Sequence, residues 1–516
     1  MWLPPALPRA VCALAIVLTA ARMPADEPQF CIAGTVVNAS TGEPVGRAAV
    51  TIPQSAPQSA ALTDAAGAFR FCNLPAGPYF ANAEKPGFAA AGSRVLVGPS
   101  REDLVLRLNP LGVITGRVAD AAGEPLENVR IEVLAIQVTR GRRQVHLESA
   151  AATDDRGYYR LPNLEAGRYY LRAAGWDKPQ RDPDAHEGFA ALYYGGAPEL
   201  ASAVPVAVEA GRDLPADFTL SLRAAYRVHG VIIGFSPRQP AQVELLGADG
   251  EPGGTAVTLE GASGVFEIHG VLPGSYTVRV TQGEGLERRR RELALQVRGD
   301  MHTVTVPLDA SVALRGKVRV AESAEAGAPR SPNCAIRLSP AGPWITGQAD
   351  LEAETDAAGE FAIEGVLPGH YRLAMECAGG YVSAVHMGDT DLLETGELRI
   401  TPGAAPPPIE AMLATDGGTA DVTASGEGET GPASVVLVPV DRGEYRTQFA
   451  HFTAHFAFLQ VAPGDYQVYA WTGSPEAFEY ANPDARQAWA GRAVSVHVGA
   501  REHQSVSVKI TAAEAP

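Results

Sequence analysis

Apolar and polar residues alternate along this chain in short bursts, and one burst recurs. The thirteen-residue frame Gly359-Glu-Phe-Ala-Ile-Glu-Gly-Val-Leu-Pro-Gly-His-Tyr371 is found five times, its tyrosine falling at Tyr79, Tyr169, Tyr276, Tyr371 and Tyr466. Two residues after the frame begins (Gly67, Gly157, Gly264, Gly359 and Ala454) stands an aromatic: Phe69, Tyr159, Phe266, Phe361 or Phe456. Two further on comes an apolar residue, Phe71, Leu161, Ile268, Ile363 or Phe458. A period of two describes a strand buried on one face. The next apolar residue (Leu74, Leu164, Val271, Val366, Val461) breaks the alternation by one position as the strand ends. A glycine (Gly77, Gly167, Gly274, Gly369, Gly464) then turns the chain two residues before the tyrosine.

The tyrosines lie 90, 107, 95 and 95 residues apart, each interval the length of one small domain. Strand-like runs flank every copy and no long apolar helical face recurs, so the expected class is all-β: a tandem array of five Greek-key or immunoglobulin-like β-sandwiches after a signal peptide. The expected boundaries are 1–25 for the leader, then 26–109, 110–224, 225–311, 312–415 and 416–516. Glycine, one residue and tyrosine at a strand entry predicts a structural tyrosine corner at all five tyrosines.

Within the first copy, Cys31–Val37, a turn over Asn38–Pro44 and Ala48–Ile52 read as a hairpin, and Asp103–Asn109 as a closing strand. The second copy repeats this order but inserts about thirty residues after Trp176, a length usually functional or disordered. The fourth copy closes at Ile409–Ala414 after a proline-rich segment, and the fifth carries an aromatic insertion between Trp471 and Trp489. Arg288–Arg291, flanked by Glu287 and Glu292, reads as a solvated hairpin with counter-charges rather than a binding patch.

Val11–Ala21 is a short apolar run behind a weakly basic leader, which predicts a cleaved secretory signal; Arg22 interrupts it before it is long enough to span a bilayer. The net charge of −17 becomes −19 once Arg9 and Arg22 leave with the leader, so nucleic acid is not an expected partner. Cys12 lies in the leader. The other four cysteines fall two in the first copy and two in the fourth, which in an oxidising compartment predicts bridges Cys31–Cys72 and Cys334–Cys377, with buried free thiols as the alternative.

A search for catalytic chemistry returns little. None of the eleven histidines begins a His-x-x-Glu or His-Glu-x-x-His pattern, and neither a Gly-x-Ser-x-Gly elbow nor a phosphate-cradling glycine loop occurs. His451 and His455, four apart, would share a face if they lay on one strand, but chance placement is the expectation. Lys85, Lys178, Lys317 and Lys509 have no evident asparagine partner for an isopeptide crosslink. Asp64, Asp154, Asp155 and Asp356 sit beside turn glycines, where turn chemistry accounts for them without calcium. No catalytic residue, metal site or cofactor is expected.

Thr355-Asp-Ala-Ala-Gly-Glu-Phe361 with Leu367-Pro-Gly-His-Tyr371, and the openings Gly34-Thr-Val with Gly42-Glu-Pro44 and Gly116-Arg-Val with Gly123-Glu-Pro125, resemble the carboxypeptidase regulatory-like (transthyretin-like) domains found as tandem copies in exported bacterial proteins. The resemblance implies seven-stranded sandwiches without catalysis of their own. Two functions follow. The first is an exported structural or interaction protein, in the periplasm, on the cell surface or secreted, with a protein or envelope partner and no membrane span in the mature chain. The alternative is a carbohydrate-binding array using Trp176, Tyr193, Tyr194, Trp471 and Trp489, although those rings could equally cover sandwich ends or fill interfaces between domains.

Overall fold

A computed structural model describes residues 29–53, 59–176, 186–247, 250–253, 255–321, 331–342, 344, 349–426, 433–440, 446–452, 455–472 and 477–512. The expected leader, with Cys12, and also Lys178 and Ala454 lie outside the described residues. Strands dominate, and the one α-helix among the described residues is the six-residue Pro483–Ala488. No helix among those residues is long and apolar enough to cross a membrane. The chain divides into two compact units, Met1–Leu111 and Gly112–Pro516.

The described residues of the first unit form seven strands: β1 Phe30–Asn38, β2 Ala49–Ile52, β3 Ser59–Leu62, β4 Ala68–Leu74, β5 Gly77–Glu84, β6 Ala91–Val97 and β7 Arg101–Leu108. One sheet runs β4-β1-β7 and the other β3-β2-β5-β6. Between them lie Ile32, Val36, Val50, Ile52, Phe69, Phe71, Val95 and Leu106. The expected hairpin of β1 with β2 does not form. β1 pairs antiparallel with β4 and parallel with β7, while β2 belongs to the opposite sheet. Both strands carry apolar residues that must meet across one core, so the chain arches from sheet to sheet instead of folding flat. Buried Thr63 pins that arch: its hydroxyl donates to Val45 O (2.7 Å) and accepts from Ala48 N (2.9 Å). Thr153 and Thr355 hold the same place in the second and fourth copies, as Thr355 Oγ1 donating to Pro332 O (2.8 Å) and accepting from Cys334 N (2.9 Å) shows.

The second unit repeats the plan four times, over pairs of sheets that enclose four further main cores. Its first pair uses β8 Gly112–Asp120, β9 Val129–Thr139, β10 Arg142–Ala152, β11 Tyr158–Leu164 and β12 Gly167–Trp176. In every copy the closing strand lies parallel to the opening one: 213–215 and 218–220 on β8, 301–307 on 226–233, 409–414 on 312–320 and 503–509 on 418–425. One departure occurs in the third copy, where Val257–Leu259 pairs with the frame strand Val265–Val271 rather than with Ala241–Leu246.

The frame itself holds a feature that alternation alone left unread. Asn73, Asn163, Gly270, Gly365 and Gln460, one residue before the third apolar position, all have positive φ (64, 64, 70, 75 and 53°). Each sits in a β-bulge where the register with the opening strand shifts. The bulge inserts one residue and returns the next apolar side chain to the core. The broken alternation is therefore a built device and not a fraying end.

Turn chemistry at the frame entry is as expected. Asp64 Oδ1 accepts from Ala66 N and Ala68 N (2.9 and 2.8 Å), and Asp154 and Asp356 make the same pair of bonds. The basic run lies on a hairpin, as expected, with strand Arg289–Val297 pairing with Gly274–Gln282, but it is not solvated throughout: Arg290 is buried on the face of the strand opposite the core residues Leu293, Leu295 and Val297, its Nε donating to Thr281 Oγ1 (3.3 Å). His451 and His455 also do not share a face: they occupy strands 448–452 and 455–461 of different sheets, since the chain crosses the sandwich between them.

Candidate functional site: interfaces and a cleft in the second unit

Four of the five tyrosines form the expected corner. Tyr79, Tyr169, Tyr371 and Tyr466 donate to the carbonyl four residues back, at Pro75, Glu165, Leu367 and Ala462 (3.0, 3.0, 2.8 and 2.6 Å). Tyr276 holds the same position half-buried beside Gly274, without that bond. Both expected disulfides are present, Cys31–Cys72 and Cys334–Cys377. The second joins directly paired positions on neighbouring strands.

The aromatic residues of the two insertions are not displayed. Trp176 is buried edge-on to Phe189 (5.3 Å) and against Gly270 of the third copy. Tyr194 is half-buried beside Phe218 (5.9 Å). Tyr193 is 1 % exposed and donates to Glu251 Oε1 (2.8 Å). It belongs to a charged cluster centred on Arg172, itself 1 % exposed, which pairs with Glu132 (2.6 Å) and with Glu251. Arg130 completes Glu132 (2.9 Å), and the Arg172 guanidinium lies over the ring of Trp344, 5.1 Å from its centroid. Burial works against the Arg172 charge, and Glu132 and Glu251 outweigh it, so its pKa is raised. Burial likewise pushes the Tyr193 phenol up, with the bond to Glu251 adding to it. These residues come from the second, third and fourth copies, so the cluster ties three sandwiches together.

The second insertion builds a small core of its own. Phe478 stacks on half-buried Trp489 (4.2 Å, 17° between planes), with fully buried Trp471 edge-on to Phe478 (5.5 Å). Its neighbours reach back to the second copy. The tip of the β9–β10 hairpin is Arg140-Gly141, both at positive φ (51 and 72°), a two-residue turn. The Tyr480 ring lies directly on Gly141, Ala481 N donates to Gly141 O (3.0 Å), and Glu479 pairs with Arg143. No side chain larger than hydrogen fits under that ring. Of the two uses the sequence leaves open for these rings, they serve as covers and interface fillers: Trp176, Tyr194, Trp471 and Trp489 pack among apolar neighbours, and Tyr193 joins the Arg172 cluster.

Where hairpin tip, fourth copy and fifth copy converge, a cleft of about 1260 Å³ opens. Its fifth-copy wall has a local cause. In the other copies a glycine of the opening strand faces the frame aromatic: Gly34–Phe69, Gly116–Tyr159, Gly230–Phe266 and Gly316–Phe361. An added Cβ at Gly230 or Gly316 would collide with the Phe266 or Phe361 ring. The fifth copy has Val422 there, fully buried. Its side chain takes the ring's space, and Phe456 is 37 % exposed where Phe361 is 5 %. Phe456 leans edge-on against Phe458 (5.0 Å) and lines the cleft with Phe449 and Leu459. Across it, Tyr381 donates to Asp416 (2.9 Å), and burial followed by that bond pushes its phenol up to about 12. Among the described residues no group of three histidine, cysteine or acidic side chains is gathered that could hold a metal ion.

Residues 31–109 and 113–221 match the model of the carboxypeptidase regulatory-like domain. The chain carries these domains in tandem. Carboxypeptidase regulatory-like domains thus account for the first unit's described sandwich and for the first sandwich of the second unit. Among solved structures, the chain is similar to the minor pilin GBS52 of Streptococcus agalactiae (17 % identity, 37 % of this chain and 95 % of that one, TM-score 0.21). It is also similar to the shaft pilin SpaA of Lactobacillus rhamnosus GG (11 % identity, 38 % and 99 %, TM-score 0.22). A third is the Bacillus anthracis TIE protein (13 % identity, 75 % and 67 %, TM-score 0.16). No curated protein matches the chain.

Proposed function

We propose that this protein is a non-enzymatic, exported scaffold of five β-sandwiches, divided near residues 110, 225, 312 and 416, that binds a protein or envelope partner through segments that differ between copies. The carrying observation is where the recurrent frame residues go: into cores, bulges, turns and tyrosine corners, leaving recognition to what is not repeated. The disulfides support export to the periplasm, cell surface or exterior, since such bridges persist in oxidising compartments. Crosslinking of the tagged full chain in its native envelope, followed by purification, should yield a discrete crosslinked partner; recovery of the uncrosslinked chain alone across all envelope fractions would remove this reading. The carbohydrate-binding alternative needs exposed stacking rings, and those of the two insertions are buried or half-buried. The expected outcome on a broad glycan array is no binding.

A further inference from the structure

The frame strand ends its sheet's order in four copies, and edges of this kind pair with foreign strands unless charge or cover prevents it. The first, second and fourth copies place Arg70, Arg160, and Glu360 with Glu364 on the outward positions of that strand. In the third copy Val257–Leu259 covers the edge, and Glu267 adds a charge. Among its described residues the fifth copy does neither. Strand His455–Val461 lies at the end of its sheet, and its outward positions are His455, Ala457 and Leu459, the last 64 % exposed. Gln448 Nε2 donates to Leu459 O (3.2 Å), a side-chain bond on the carbonyl a further strand would use.

We propose that this edge, inside the cleft, receives an extended peptide strand with apolar side chains on one face and basic side chains on the other. Backbone pairing to a sheet edge supplies affinity in such recognition, and pockets for alternate side chains supply selectivity. Leu459 supplies apolar surface on the outward face of this edge, and Phe456 lines the cleft from the opposite face of the same strand. The facing fourth-copy wall presents Glu376 and Glu394, exposed and, among the described residues, without an ion-pair partner, whereas neighbouring Glu397 is held by Arg372 (2.5 Å). The lining also holds three arginines on other elements, Arg140 and Arg142 at the hairpin tip and Arg486, which bonds Pro439 O (3.5 Å). The net charge of −17 favours the same basic partner at long range. This inference rests on the reading of the protein as an interaction scaffold and names what one of its surfaces takes.

The test uses the full mature chain and a fluorescent peptide of about ten alternating valines and lysines, the length of a long strand, read by anisotropy. Saturable binding is expected, weakened about tenfold or more by Leu459→Lys, which places a charge on an exposed edge position and spares the core. The double variant Glu376→Gln, Glu394→Gln should weaken it about two- to fivefold and flatten its salt dependence. A valine–glutamate peptide should bind at least about tenfold more weakly than the valine–lysine one. Absence of valine–lysine binding to natively folded protein, or binding indifferent to Leu459→Lys, overturns the proposal. So does self-association of the chain that Leu459→Lys abolishes, because the edge then belongs to a second copy. None of these negative results touches envelope crosslinking, so failure of the cleft and failure of the scaffold reading are separable.

Discussion

Single residues explain why the copies share a shape and why the fifth departs from it. The tyrosine corner offers an internal control. Tyr→Phe at position 371 or 466 should cost about 1 kcal/mol in urea denaturation, the net contribution of one hydrogen bond, and at 276 almost nothing, since Tyr276 lacks the bond. Equal losses at all three sites would show that the hydroxyl bond is not what the position contributes. The glycine slot makes a larger prediction. Gly316→Val should expel the Phe361 ring and cost about 3 kcal/mol or more, as overpacking combined with loss of a buried aromatic does. Burial pushes the Tyr466 phenol up to about 12, as it does that of Tyr381. Because the folded value is raised, the stability these neutral phenols contribute is fully present below the ordinary tyrosine value near 10 and is lost as pH rises toward 12. Absorbance titration at alkaline pH should show late-ionising tyrosines whose number falls by one in Tyr466→Phe.

At the scale of elements, the long β9–β10 hairpin and the two insertions do the joining. Arg172 is the most buried cation of the joint, and removing it leaves Glu132 buried without its main counter-charge. Arg172→Met should therefore destabilise the second unit by about 3–5 kcal/mol, whereas Arg172→Met combined with Glu132→Leu should cost less, because no uncompensated charge remains. Denaturation of the two variants side by side decides it; an equal or greater loss in the double variant would assign the cost to packing on Trp344 and Tyr193 instead. At the hairpin tip, Gly141→Ala puts a Cβ into the Tyr480 ring and should raise protease sensitivity around the 477–492 segment while leaving the two main sheets intact.

For the whole molecule, the disulfides bear on where it works. Each closes a loop of similar size, 41 and 43 residues apart, for which chain entropy gives a contribution of at most about 4 kcal/mol. Reduction should lower the melting temperature of the first and fourth sandwiches and leave the third, which has no cysteine, unaffected; thiol counting on the unreduced mature protein should find none reactive. The second unit also differs from a plain row of sandwiches, because its first sandwich, the chain's second copy, touches its last through Gly141, Arg143, Glu479 and Tyr480.

What the sequence determined by itself is what repeats. The recurrence from Phe69 to Tyr466, the Asp-x-x-Gly turns and the paired cysteines are local or periodic signals, and periodicity reports a buried face wherever it occurs. Even the positive-φ bulge was visible in principle as Asn73, Asn163, Gly270 and Gly365, residues that tolerate that conformation, although Gln460 gives no such hint. What only tertiary structure decided is what lies between copies. An exposed tryptophan and one buried against another sandwich look alike in sequence, so the sequence leaves Trp176 and Trp471 open between surface ring and interface filler, and their neighbours decide it. The sheet-to-sheet arch in place of a hairpin, the Arg172 cluster and the cleft at Phe456 depend on contacts between residues far apart in the chain, and no local pattern encodes such distances.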